Sequence, residues 1–233
     1  MNVLTFWDHL FFLLIGIIIP IFSLSRGKVE GEDMEIHITD KAKFYYANAG
    51  VLWVGAIVVF ILWTVAGRPY ADMGIRWPVL DQIVILLTAL FIFTYLIETV
   101  RELRQEGAAD ELKKAAPFLP ENGREFLHFS FLAFSAGFCE EIVYRGFMVN
   151  YLLRVIDDSF LAITVAIWLP AIIFGVIHLY QGWTAVLKIS IMSLLFGAIF
   201  IWSQSLLIVI ILHFLVDLIG GMIGWKLHAT KKT

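Results

Sequence analysis

Cysteine is almost absent from this sequence, which holds a single one, Cys139, among 233 residues. That scarcity excludes an internal disulfide framework and a zinc site built from several thiolates, and we interpret Cys139 as a small buried apolar residue. Charge is also scarce, because charged residues make up 16% of the chain against about 25% in soluble domains. Lys and Arg form no long basic stripe, so nucleic acid is not an expected partner.

Apolar side chains, in contrast, make up 60% of the chain, above the roughly 45 to 50% of soluble domains. The excess indicates that a lipid bilayer is the solvent. Runs long enough to cross a bilayer, about 17 to 25 residues each, lie near Leu4–Leu24, Phe44–Ala66, Val79–Ile97, Phe126–Val149, Phe160–Leu179, Ala185–Trp202 and Leu206–Trp225. The sequence therefore predicts one all-α membrane domain over residues 1–233, a polytopic helical bundle of about seven or eight transmembrane helices.

The first apolar run differs from a cleaved secretory signal. It carries Asp8 and His9 in place of a basic region, and no small-residue cleavage site follows it, which predicts an uncleaved first span. Most Lys and Arg lie in the connections 25–43 and 98–125 and in the tail 226–233. The positive-inside rule then predicts that these three segments are cytoplasmic and the N-terminus is outside. In a bacterial cell this would be a multi-pass protein of the plasma (inner) membrane.

The stretch 135–147 places charged side chains in the middle of an apolar run, at Glu140, Glu141 and Arg145. At the centre of a spanning helix such a residue costs about 2.5 to 3.5 kcal/mol on translocon scales, and it usually faces a bundle interior or a water-filled cavity. In a helix Glu141 and Arg145 stand one turn apart, acid first, which is the favourable order for an ion pair. Glu140 points about 100° away, so its carboxylate is left free for chemistry.

Two later apolar runs add more ionisable residues. His178 follows Phe174 by four positions, and His213 precedes Asp217 by four in the last run. Each feature alone has a structural interpretation, such as an interhelical hydrogen bond or a helix-locking ion pair. Together with the charged stretch, they have the lowest desolvation cost if all share one hydrated cavity. We therefore predict a functional site formed by three spans.

These patterns, in this order and each within an apolar run, resemble the CPBP family of intramembrane proteases. The motifs are Glu140-Glu141-x-x-x-Arg145, Phe174-x-x-x-His178 and His213-x-x-x-Asp217. The family includes CaaX prenyl endopeptidases of Rce1 type and the bacterial Abi proteins. The resemblance covers roughly residues 117–221, the predicted catalytic core, and implies that Glu141 and Arg145 hold the first motif in place.

For the chemistry, the resemblance implies hydrolysis of a peptide bond, within a bilayer cavity, in a peptide or protein at the membrane. Glu140 would be the general base that activates water, assisted by His178, while His213 and Asp217 would stabilise the oxyanion. Many family members have Asn at the position of Asp217, and an ionised Asp has no proton to donate. Asp217 would then donate only as a carboxylic acid, orient His213, or bind a metal.

No cofactor is predicted, although a catalytic zinc ion is an alternative. Two histidines with Glu140 or Asp217 would supply three ligands, but the last motif lacks the adjacent Glu of His-Glu-x-x-His, which favours metal-free chemistry. Two other functions stay open. Intramembrane carboxylates and histidines also mark ion- or proton-coupled transporters, and the resemblance also allows a non-catalytic bacteriocin-immunity or scaffold protein.

Overall fold

The computed structural model describes residues 4–26, 38, 40–105, 107, 112, 116–156 and 159–230. Within these ranges all regular structure is helical and no strand occurs. Seven helices there are long and apolar enough to cross a membrane: Phe6–Ser25, Lys41–Val65, Gln82–Leu103, Gly123–Val155, Ser159–Ile177, Trp183–Ser203 and Leu206–Leu227. Each coincides with a predicted apolar run, which confirms the all-α polytopic bundle and a multi-pass integral membrane protein.

The predicted orientation of the protein in the membrane stays a prediction. Most of the connection 25–43, on which that prediction depends, lies outside the described residues. The same holds for part of the connection 98–125 and for residues 231–233 of the tail.

In chain order the α-helices are α1 (Phe6–Leu13), α2 (Ile19–Arg26), α3 (Lys41–Val65), α4 (Tyr70–Met73), α5 (Gln82–Leu103), α6 (Gly123–Glu141), α7 (Asn150–Val155), α8 (Ser159–Ile177), α9 (Trp183–Ser203) and α10 (Leu206–Thr230). A π-helical segment, Leu14–Ile18, joins α1 to α2, and a second, Ile142–Val149, joins α6 to α7. A short 3₁₀ turn, Leu179–Gln181, follows α8.

Polar side chains fix the start of three of the spans. Asp40, Asp81 and Asn122 precede α3, α5 and α6, and each side chain accepts a hydrogen bond from the backbone N–H three residues further on. Such caps satisfy donors that a helix cannot pair internally. The sequence thus sets where the helix that carries the first motif begins.

The span Gly123–Val155 is the centre of the bundle. Half of its most apolar window is buried inside the protein, against 11 to 39% for the other spans. Its first part, α6, packs against α3 and α10, and its π-helical segment is buried throughout. Short π-helical segments within α-helices are frequent at functional sites, and this one begins directly after Glu141.

Helices α6 and α10 approach each other closely at Gly137. A Cβ atom built on this glycine would lie 2.8 Å from the backbone nitrogen of Phe214, closer than side chains tolerate. Small residues at helix interfaces allow this kind of backbone approach in membranes. Because His213 directly precedes Phe214, the contact brings His213 close to Glu140 and Glu141.

Candidate active site

Five of the six predicted site residues meet where the central span contacts α10: Glu140, Glu141, Arg145, His213 and Asp217. The shortest contacts converge on the ring of His213. Its Nδ1 lies 2.7 Å from Oε1 of Glu141, while its Nε2 lies 3.5 Å from Oε2 of Glu140 and 3.8 Å from Oδ2 of Asp217. One imidazole is therefore surrounded by three carboxyl groups contributed by two spans.

The carboxylate of Glu141 is the fixed point of this cluster. Its side chain is wholly buried, and Oε1 accepts hydrogen bonds from Nη1 of Arg145 at 2.9 Å and from Nδ1 of His213 at 2.7 Å. Its second oxygen, Oε2, has no hydrogen-bond partner among the described residues. Since a carboxylate oxygen only accepts, Nδ1 of His213 carries the proton of that bond.

Arg145 is also held by groups from α8 and α9. Its Nη2 donates to the hydroxyl of Ser193 at 2.7 Å and to the carbonyl of the same residue at 3.1 Å. The guanidinium carbon lies 5.4 Å from the ring centroids of both Phe174 and Phe196, within the range of cation–π attraction. A buried charge needs such partners to offset its desolvation.

His178 reaches the site from α8. Its backbone lies just past the end of that helix, and its Nδ1 is 2.7 Å from the carbonyl oxygen of Phe174. A carbonyl only accepts, so Nδ1 is the donor and Nε2 is the free acceptor of the neutral ring. The ring of Phe174 lies 4.8 Å from the ring of His178 and 5.9 Å from that of His213, so this phenyl group packs against both histidines.

Comparison with known proteins finds a family match over part of the chain. The profile of the family described as Type II CAAX prenyl endopeptidase Rce1-like matches residues 122–219, which hold all three motifs. Over these residues the chain is similar to the Rce1-like family. This is a family of proteases, which supports a peptidase with a peptide or protein substrate at the membrane and does not favour the transporter or immunity alternatives. No curated protein and no solved structure matches the chain significantly.

Two residues that line this site, Ser193 and Phe196, are absent from the predicted set. Both lie on α9, a span without any of the three motifs, and both contact Arg145. A lone serine in an apolar run has no pattern that separates it from the other serines of the spans. The only available signal is that a buried guanidinium has five N–H donors, more than Glu141 alone can accept.

The described part of the site offers no set of ligands for the zinc ion of the alternative hypothesis. Among the described residues, no three His, Cys, Asp or Glu side chains are grouped so that they could hold a metal ion. Nδ1 of each site histidine is already bonded within the protein, to Phe174 in one case and to Glu141 in the other. Metal-free chemistry nevertheless stays a prediction from the sequence.

Proposed function

We propose that this protein is an intramembrane endopeptidase in which Glu140 activates water for attack on a peptide bond. The observation that supports this most is the fixed direction of the His213 ring. Glu141 holds Nδ1 of that ring at 2.7 Å, so Nε2 faces the carboxyl group of Glu140 at 3.5 Å. A positioned carboxylate beside an N–H donor is the pair that hydrolysis of an amide requires.

Glu140 and His178 supply the basic side of the reaction. The carboxylate of Glu140 takes a proton from water as the water oxygen attacks the carbonyl carbon, and later gives that proton to the leaving amine. His178 has a free Nε2, because its Nδ1 donates to the carbonyl of Phe174. That nitrogen accepts a second hydrogen bond from the same water and orients it.

His213 and Asp217 supply the electrophilic side. A His213 ring that donates from both nitrogens is positively charged, and its Nε2–H would stabilise the oxyanion of the tetrahedral intermediate. Asp217 lies 3.8 Å from that nitrogen, beyond the range of a direct hydrogen bond. An ionised carboxylate at that distance would attract the charged ring and help to hold it in place.

The experiment compares peptides released by membranes that contain the parent protein, Glu140→Gln or His178→Ala. Both variants should lose cleavage, because each removes a group that handles the attacking water. Asp81→Asn is the matched control, since it also neutralises a carboxylate but retains the N-cap of α5. If Glu140→Gln released the same peptides at the parent rate, Glu140 would not be the base.

A further inference from the structure

We propose that Ser193 is a positioning residue for the reaction, a role that rests on the proposed peptidase function. Ser193 lies on α9, which contributes no motif residue, and its side chain is buried, with 3% of the residue exposed. It offers Nη2 of Arg145 two acceptors at once, the hydroxyl at 2.7 Å and the backbone carbonyl at 3.1 Å. Its hydroxyl is hydrogen-bonded to Arg145, a residue of the site, so its effect on the reaction passes through that guanidinium.

The route from Ser193 to the reacting groups consists of three hydrogen bonds. Ser193 fixes Nη2 of Arg145 at 2.7 Å, Nη1 of the same guanidinium donates to Glu141 at 2.9 Å, and Glu141 accepts from His213 at 2.7 Å. The guanidinium is a rigid planar fork, so fixing one amino group also fixes the direction of the other. Ser193 thereby sets the orientation of the His213 ring and the place of its Nε2.

A second contact from α9 supports this role. Phe196 lies one turn after Ser193, and its ring centroid is 5.4 Å from the guanidinium carbon of Arg145 and 5.8 Å from the centroid of the His213 ring. The ring of Phe196 packs against both the guanidinium and the imidazole and limits their movement. It has no lone pair that could fix the direction of an N–H group of Arg145. The hydroxyl of Ser193 supplies that direction.

A purely structural role for Ser193 makes a different prediction. If its hydroxyl only satisfies a buried donor, losing it lowers the stability of the protein and leaves kcat of the folded fraction unchanged. If Ser193 positions the site, kcat of the folded protein falls while KM changes little, because a reacting group is displaced and substrate binding is not. The split between kcat and KM therefore separates the two roles.

The test uses Ser193→Ala in the full-length protein in detergent. We expect kcat to fall by about 10- to 100-fold, as small misplacements of catalytic groups do, with KM within about twofold. Ser193→Thr retains the hydroxyl and should recover most of the loss. Ser203→Ala is the matched control, because Ser203 is wholly buried on the same helix and its hydroxyl donates to the carbonyl of Ser205. Its kcat should equal that of the parent.

The route through Arg145 is tested by combining variants. In an Arg145→Lys background, Ser193→Ala should have little further effect on kcat, because the planar fork on which it acts is gone. An equal loss in both backgrounds would show that Ser193 does not act through Arg145.

A readout independent of cleavage separates this proposal from the proposed function. In ¹⁵N NMR spectra, Ser193→Ala should shift the ring signals of His213 and Ser203→Ala should not. If the parent cleaves no peptide, or Glu140→Gln cleaves normally, the proposed function fails and these signals still decide the positioning role. Unchanged His213 signals, or unchanged kcat in folded Ser193→Ala, would overturn it.

Discussion

Arg145→Met tests whether the arginine neutralises the buried Glu141. The substitution retains an unbranched side chain but removes the guanidinium, so Glu141, with no exposed side-chain surface, keeps only His213 as donor. Removing one partner of a buried ion pair costs about 3 to 5 kcal/mol. Because His213 still donates to Glu141, we expect the lower end, about 3 kcal/mol. Since about 1.4 kcal/mol is a factor of ten, the unfolded fraction should rise roughly 100-fold.

Cys139 provides the assay, since it is the only cysteine of the chain and has no exposed surface. A maleimide in detergent labels Cys139 only when the central span opens. As long as the span recloses faster than it is labelled, the labelling rate is proportional to the fraction of molecules that are open. The control is Arg101→Met, whose parent side chain is 64% exposed and lies 2.9 Å from Glu98. Exposed pairs contribute at most about 1 kcal/mol, so its labelling rate should change only a few-fold.

A double variant, Glu141→Leu with Arg145→Met, sharpens the test. It removes both charges, and replacing a buried ion pair with apolar side chains is often neutral or stabilising. Labelling of Cys139 should return towards the parent rate, while cleavage stays lost because His213 no longer has its acceptor at Nδ1. If Arg145→Met alone were labelled at the parent rate, Glu141 would not depend on the arginine for its charge.

Two further predictions concern how the helices of the bundle are held together. Asp8→Asn breaks a bidentate ion pair with Arg68, with contacts of 3.0 and 2.5 Å and both side chains at most 1% exposed. The substitution should lower the free energy of unfolding by about 3 kcal/mol. The labelling rate of Cys139 should therefore rise, while kcat of the folded fraction is retained. Labelling at the parent rate would contradict this prediction. Gly137→Ala would place a Cβ 2.8 Å from the backbone nitrogen of Phe214, so we expect it to abolish cleavage. Gly50→Ala is its control, because a Cβ there would meet open space. That control should leave the free energy of unfolding unchanged or raise it by up to about 1 kcal/mol. Full cleavage by Gly137→Ala would show that the helices can separate there without effect.

The spans were predictable because a bilayer imposes a length on each apolar run. Seven runs in the sequence correspond to seven spanning helices in the described residues. The pairing of Glu141 with Arg145 was equally predictable, because residues four apart share a helix face, and the two groups are 2.9 Å apart. The length of an apolar run and a spacing of four residues are both local features of the sequence, so the sequence alone predicts the spans and this ion pair.

Contacts between distant segments were beyond the sequence. That Glu141 accepts from Nδ1 of His213, 72 positions away, follows from the close approach of α6 and α10 at Gly137. The two acceptors that Ser193 offers to Arg145 depend on how α9 is rotated against the central span. Spacing along the chain records neither the rotation of a helix nor its distance from a neighbour, so no count of residues could have selected Ser193.

The two adjacent glutamates have the same chemistry but different surroundings, and the difference assigns their roles. Glu141 has no exposed surface, and its Oε1 already accepts from Arg145 and His213. A side chain this deeply buried gives an incoming water molecule no exposed oxygen to approach, so Glu141 is not placed to take a proton from that water. Glu140 has 14% of its side chain exposed, and its nearest charged neighbour, Nε2 of His213, lies at 3.5 Å. A water molecule can reach Glu140 without displacing a buried hydrogen bond, so we infer that Glu140, and not Glu141, takes the proton.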